Sequence, residues 1–473
     1  MASIILLITF CYFSSFGQEK WDLRKAVDYA IANNISVKQA DLQARFSELT
    51  FKQSKMAQYP GLNFNGSFGY SAGRNQDPTN FSLITTAYWF SNYQLQTSVD
   101  LFNWFSKKNT IAGNSLDLQA SRAQIDKIRN DISLNVAVAY LQILLAKEQV
   151  GIAKLQVSQT LLQLESTRKQ VDAGKLPELN AAQLESQLAT DSSSLITAEG
   201  SVQQFTLQLK ALLNLDAAIP FSVDTPPVES IPLESLADLQ PDAVYTSAIA
   251  NLPQQKVNEL RLEAAKKAVE ATRGVMFPTL SLFGSLGTAF NNRALQIVSK
   301  TQINPPIGLV SVNGTPYQVF PLQPFDQFSY GNISYFSQLN QNFRQSIGIG
   351  LSVPILNGSS LRTNWERSKL TVRQWELTRE LDNQTLKQDI YKAYNDAVTA
   401  LEKFNAGKKG VQTSERAYNF SQRRYDLGLL SIYDLINSQN IMLRAKIESV
   451  YAQYDYVFKM KLLEFYKGLG LKL

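Results

Sequence analysis

The chain has 473 residues, 44% hydrophobic and 18% charged, with a formal net charge of +6, enough for two or three domains and unlike either a disordered chain or a many-helix membrane protein. It has no His and a single Cys, Cys11, which excludes a Ser-His-Asp triad, a His-ligated zinc and a disulfide framework. The basic residues alternate with Asp and Glu along helical stretches instead of forming a block, which disfavours nucleic acid as a partner.

Residues 1–17 carry no charged side chain, and an apolar run from Ile4 to Phe13 ends in Ser15-Phe16-Gly17. This pattern predicts a secretory signal peptide, although the usual basic residue near the start is missing. Lipid attachment at Cys11 is disfavoured, because the apolar run before it is short and Phe10 stands where a small residue is required. Beyond Gly17 no stretch of about 18 apolar residues is read, so no membrane helix is expected. A mature chain that spans a membrane must then do so as a closed β-barrel.

The remainder reads as two copies of one plan, the first over residues 18–215 and the second over 241–473, joined by a Pro-rich linker at 216–240. Ala30-Ile31-Ala32-Asn33 returns as Ala248-Ile249-Ala250-Asn251, and Tyr59-Pro60 as Phe277-Pro278, 218 positions later. Val171-Asp172-Ala173-Gly174 returns as Tyr425-Asp426-Leu427-Gly428, 254 positions later, so 36 extra residues lie inside the second copy. Each copy is expected to run helix, strand, variable loop, strand, very long helix, turn, helix. Pro220, Pro226, Pro227, Pro232 and Pro241 keep the linker irregular.

Period-two alternation predicts strands at Leu62–Tyr70, Tyr93–Leu101, Leu280–Leu286 and Ile347–Ile355, of about 9 to 11 residues and apolar on one face. The segments Gly73–Asn92 and Thr288–Phe343 are read as loops facing the exterior, the second lacking any periodicity. Heptad spacing of Val136, Ile143, Val150, Val157 and Leu164, with Ile125, Ile132, Ala139, Ala146 and Ala153 beside them, predicts a helix from Trp104 to about Asp172. Ser359–Asp426 repeats it, and Glu178–Leu213 and Ile432–Leu469 are return helices. Taken singly, the strands fit soluble amphipathic hairpins and the helices fit a coiled-coil spacer. Four membrane strands cannot enclose a lumen, so the barrel reading requires oligomerisation.

At the second turn, Arg424-Tyr425-Asp426-Leu427-Gly428-Leu429-Leu430-Ser431-Ile432-Tyr433-Asp434-Leu435-Ile436-Asn437-Ser438-Gln439 resembles the tip pattern of the outer-membrane efflux protein family, the TolC-like channels. Its counterpart, Gln170–Gln183, keeps Gly174 and Ala182-Gln183 but is more divergent. The resemblance implies a mixed α and β membrane protein: a homotrimer whose twelve-stranded β-barrel, four strands per subunit, continues into a long periplasmic α-helical barrel. It implies outer-membrane lipid around the barrel, a periplasmic adaptor (membrane fusion) protein at the tips, and through it an inner-membrane pump. Gly174, Lys175 and Leu176, with Gly428, Leu429 and Leu430, are the implied adaptor-facing residues. A family gate is built from Asp residues on the return helix held by a Tyr and an Arg. Here Tyr425 and Asp434 match, Leu430 stands at the Arg position and Asn437 replaces the second Asp, so the latch is incomplete.

No catalytic residue, metal ligand or cofactor is implied. The reading is a passive exit duct of a tripartite efflux or type I secretion system in the cell outer membrane. The alternative is a periplasmic coiled-coil scaffold. A hydrolase using paired carboxylates is disfavoured, because Asp and Glu are dispersed in helical charge patterns.

Overall fold

The computed structural model describes residues 20–76 and 82–468; the predicted signal segment, with Cys11, lies outside the described residues. In chain order the elements are α1 (Leu23–Asn33), α2 (Ile35–Met56), β1 (Gly61–Gln76), β2 (Leu83–Phe102), α3 (Ser106–Asp172), α4 (Glu178–Leu213), α5 (Pro241–Asn251), α6 (Pro253–Gly274), β3 (Thr279–Asn291), β4 (Leu295–Ile303), β5 (Gly308–Val312), β6 (Thr315–Val319), β7 (Phe325–Asn332), α7 (Tyr335–Gln341), β8 (Arg344–Ser352), α8 (Ser360–Asp426) and α9 (Ile432–Tyr466). The opening helix expected in each half is in fact two. Asn34 ends α1, its amide donating to Leu212 O at 2.8 Å while its Oδ1 accepts from Ser36 N. Pro253 holds Leu252 in an extended conformation and breaks α5 from α6.

These elements form two compact units, and each draws on both halves of the sequence. Phe51–Ala112 and Lys267–Lys369 make the strand-bearing unit. Its main sheet is antiparallel, in the order β1-β2-β3-β8. Directly opposed residues share a face, and the register sets Phe64 opposite Leu95, Leu95 opposite Leu286, and Leu282 opposite Ile349. All four apolar stripes therefore coincide on one face. The other face carries Asn65 opposite Gln94 and Gln96 opposite Ser285, and Ser285 bonds Ser346 at 2.8 Å. On that polar face the rings of Phe90 and Phe283 lie over Gly69 and Gly348, where a Cβ would come within 2.6 and 2.7 Å of them. Glycine leaves room for the ring, and the ring covers the otherwise bare backbone.

Three of the four strands exceed the expected length: β1, β2 and β3 have 16, 20 and 13 residues, against 9 in β8. The predicted exterior loop at 73–92 is consequently mostly strand. The second predicted loop, 288–343, is also structured, holding the ribbon β4-β7, the hairpin β5-β6 and the short helix α7. Asn313 and Gly314, at φ +53° and +83°, form the two-residue turn between β5 and β6. Because β8 begins opposite Gly287 while β3 runs on to Asn291, α7 supplies the missing partners. Gln338 accepts from Asn291 N and donates to Asn291 O, and Asn342 donates to Ala289 O.

Among the described residues the helical unit comprises 20–50, Gly113–Lys266 and 370–468. Both long helices have 67 residues, about 100 Å at 1.5 Å per residue. Arg261 of α6 acts on the Asp117 carboxylate of α3 and stacks over the Trp375 ring of α8, so α6 lies between them. Ser47 of α2 bonds Ser121 on α3. This leaves α2 and α8 as flanks, and each exposes an apolar heptad stripe: Ile35, Leu42 and Leu49 on α2, Leu370 and Leu377 on α8. Elsewhere Val136, Tyr140, Ile143, Leu209 and Leu213 form the largest core. This concentration makes α3 long and apolar enough to cross a membrane by length and composition, with nearly half of its most apolar window buried. The buried part of the window packs against the other helices of the core.

The linker is tied down along this core. Trp21 N donates to Ser222 O and Asp224 N donates to Trp21 O, and the Tyr140 hydroxyl donates to Asp224 O at 2.7 Å. The buried Lys461 ammonium bonds Pro232 O and the Glu464 carboxylate, and Glu464 in turn accepts from Glu234 N.

Candidate gate and docking tips

Each long helix ends in the same turn. Gly174 N donates to Val171 O and Lys175 N to Gln170 O; 254 positions later Gly428 N donates to Tyr425 O and Leu429 N to Arg424 O, all at 2.8 Å. This is the paired bonding of a Schellman cap. It requires a left-handed residue, and Gly174 and Gly428 sit at φ +73° and +74° with open space where a Cβ would project. Conformation rather than room therefore selects glycine.

The residues around these turns divide into two sets. Lys175 and Leu429 are exposed, as are Leu427, Tyr433 and Leu179, which the sequence reading had not singled out. Leu176 and Leu430 instead pack inward with Leu164, Leu184, Tyr425 and Leu435, anchoring the two turns to a common core. Asp434 is exposed in the first turn of α9, where the Ser431 hydroxyl donates to its carboxylate at 2.6 Å and Asp434 N donates back to Ser431 Oγ. Asn437 is exposed one turn further on. Tyr425 is buried, and its hydroxyl pairs with Thr167 of α3 at 3.2 Å. Tyr425 and Asp434 thus engage different partners: one ties α8 to α3, the other holds the Ser431 cap of α9.

The seam between the hairpin α3/α4 and the hairpin α8/α9 is polar over several turns. Gln422 of α8 donates to Gln163 of α3; Gln439 of α9 donates to Thr160 of α3; Gln187 of α4 bonds Asn440 of α9. At its centre lies Asp191, 4% exposed, accepting from Thr160 Oγ1 at 2.6 Å and from Gln187 Nε2 at 2.8 Å. Gln156, one turn before Thr160, has its buried Nε2 without a partner. Burial, and then the charge of Asp426, raises the Tyr418 hydroxyl above the ordinary tyrosine range. The heptad position read as Ile125, Ile132, Ala139, Ala146, Ala153 continues as Thr160 and Thr167, so a signal for this seam was present in the spacing. Above it, α3, α8 and α9 leave a groove of about 960 Å³ lined by Leu141, Leu145, Gly407, Tyr451 and Phe458. Among the described residues no group of His, Cys, Asp and Glu could hold a metal ion.

A sheet with one apolar and one polar face and long paired helices closed by matched glycine turns is the arrangement of a known family. The family model described as outer membrane efflux protein matches residues 26–215 and 244–464. The chain belongs to this family. It is similar to the outer membrane efflux protein BepC of Brucella suis, at 20% identity over 92% of this chain and 82% of the relative. It is also similar to the outer membrane protein TolC of Escherichia coli, at 21% identity over 96% and 83%. In fold it matches a crystal structure of CusC with a TM-score of 0.76 at 17% identity, covering 96% of this chain and 93% of that one. This outer membrane efflux protein is accordingly a transport protein of the cell outer membrane and not an enzyme.

Proposed function

We propose that this outer membrane efflux protein is the passive exit duct of a tripartite export system, working as a homotrimer whose sheets close into one twelve-stranded barrel. The observation that carries this reading is the sheet itself, with Leu62, Phe64, Phe68, Ile347, Ile349 and Leu351 all exposed on one face and β1 and β8 unpaired at its outer edges among the described residues. Apolar residues outward and polar residues inward, with no open edge left, is what lipid demands of a strand-built channel. The exposed stripes on α2 and α8 would likewise be covered between subunits. A soluble periplasmic scaffold has no use for such a sheet face.

The helices lie on this reading in the periplasm, with the tips, Lys175, Leu429 and the neighbouring exposed Leu427 and Tyr433, meeting an adaptor linked to an inner-membrane pump. Three copies of Asp434 would form an acidic ring at the tunnel end, attracting cations and repelling anions. The test is single-channel conductance of detergent-purified protein in planar bilayers, comparing wild type with Asp434→Asn, which keeps an acceptor for Ser431. Small openings blocked by divalent cations from the periplasmic side, with the block relieved by about tenfold in the variant, are expected. A water-soluble protein without channel activity would reject the duct, and an unchanged block would reject Asp434 as its seat.

A further inference from the structure

The segment between β3 and β8 carries an apolar surface that the conducting pathway does not require. In an antiparallel sheet of this order, the β1-β2 and β3-β8 connections share one end, and the helices α2, α3, α6 and α8 join the sheet at the other. The β4-β7 ribbon and the β5-β6 hairpin are therefore inserted at the sheet end that the β1-β2 connection shares. Residues 294–343 contain only two charged side chains, Lys300 and Asp326, and these pair with each other at 2.8 Å. The β5-β6 hairpin has none. Its register sets Val310 opposite Tyr317 and Val312 opposite Thr315, so Val310, Val312, Tyr317 and Val319 line one face, and all four are exposed. The opposite face carries Leu309, Ser311, Pro316 and Gln318.

We propose that the Val310/Tyr317 faces of the β5-β6 hairpins of three subunits pack against one another at the outer end of the barrel. This inference rests on the trimeric reading above. An exposed strand pair is ordinarily guarded by charges, and this one is not. Its neutrality also selects the occupant. Anionic lipid headgroups are held by Lys and Arg, which the hairpin lacks, and a charged protein surface would lose hydration against it without compensation. A second copy of the same neutral apolar face matches it, and trimerisation would bring three copies together at high effective concentration. Pro316 removes a backbone donor from β6, which favours packing through the face over strand addition at that edge.

The experiment uses the full-length, detergent-purified channel with Val310→Cys or Ser311→Cys, on opposite faces, and Tyr317→Cys as a second probe of the apolar face should Val310→Cys fold poorly. Particle mass is measured first, then oxidative cross-linking and the rate of maleimide labelling. The expected result is a trimer in which the Val310→Cys or Tyr317→Cys protein forms disulfide-linked dimers and labels about tenfold more slowly than Ser311→Cys. A trimer in which both faces label equally and no linked dimer forms overturns the hairpin contact while leaving the duct reading intact. A particle that is not trimeric rejects the trimeric reading and the hairpin contact with it.

Discussion

Gly428 occupies a backbone region that costs other L-residues about 1 kcal/mol or more, and nothing crowds its missing Cβ. The effect of Gly428→Ala should therefore be local strain without a packing clash. We expect the α8 turn to fray, with amide exchange at Gly428 and Leu429 several-fold faster while the melting midpoint of the whole protein is nearly unchanged. Hydrogen exchange with peptide-level resolution reads this directly, and Gly174→Ala should behave alike at the other tip. The same scale explains Leu176 and Leu430, named from sequence as tip residues. One residue beyond the turn, each side chain swings back onto the helical pair, because a Schellman cap directs the chain across the helix end. Lys175 and Leu429, one residue earlier, are left facing water.

Between elements, the contrast is between apolar and polar seams. Val136, Tyr140, Ile143 and Leu209 bind helices by burial, whereas Gln439 to Thr160, Gln187 to Asn440 and Gln422 to Gln163 join the two hairpins by hydrogen bonds, with Asp191 holding Thr160 and Gln187 from within the first hairpin. Water can replace such bonds when hairpins part, so the polar seam separates at a lower free-energy cost than an apolar one of equal area. Removing one partner differs from removing both. Thr160→Val should cost about 1 to 3 kcal/mol, because it strips a donor from a buried carboxylate. Adding Asp191→Leu should recover much of that loss and make the hairpins harder to part. Chemical denaturation of the single and double variants checks the first effect, and lower open probability in bilayers checks the second. A double variant no more stable than Thr160→Val alone would remove Asp191 from this role.

For the whole molecule, the two faces of the β1-β2-β3-β8 sheet make opposite demands. On the proposed lipid-facing side, Ile349→Arg near the middle of β8 should destabilise the inserted channel by about 2 to 4 kcal/mol. Ser346→Arg, on the polar side, should leave insertion intact and change only ion selectivity. Refolding yield into lipid vesicles compares the two, and equal losses at both positions would contradict the assignment of faces. The unpaired β1 and β8 edges and the exposed stripes on α2 and α8 belong to this scale, because a single chain leaves both unsatisfied.

Period two and period seven were legible because burial on one face of a strand or helix leaves a one-dimensional trace, and the absence of His removed most enzymatic chemistry. The matched glycine turns were legible for a similar reason, since a local backbone conformation demands a particular residue. The hairpin at 308–319 was also within reach, its Asn313-Gly314 turn flanked by alternating residues, but Pro-rich flanks masked the pattern. The helix breaks at Asn34 and Leu252 needed a long-range bond in one case and a rule for Pro253 in the other. Only the tertiary structure could decide that Tyr425 meets Thr167, that Asp191 lies buried in a polar seam, and that four apolar stripes fall on one face. Each of these depends on register between segments far apart in the chain, and the chemistry of any one segment carries no record of its partner.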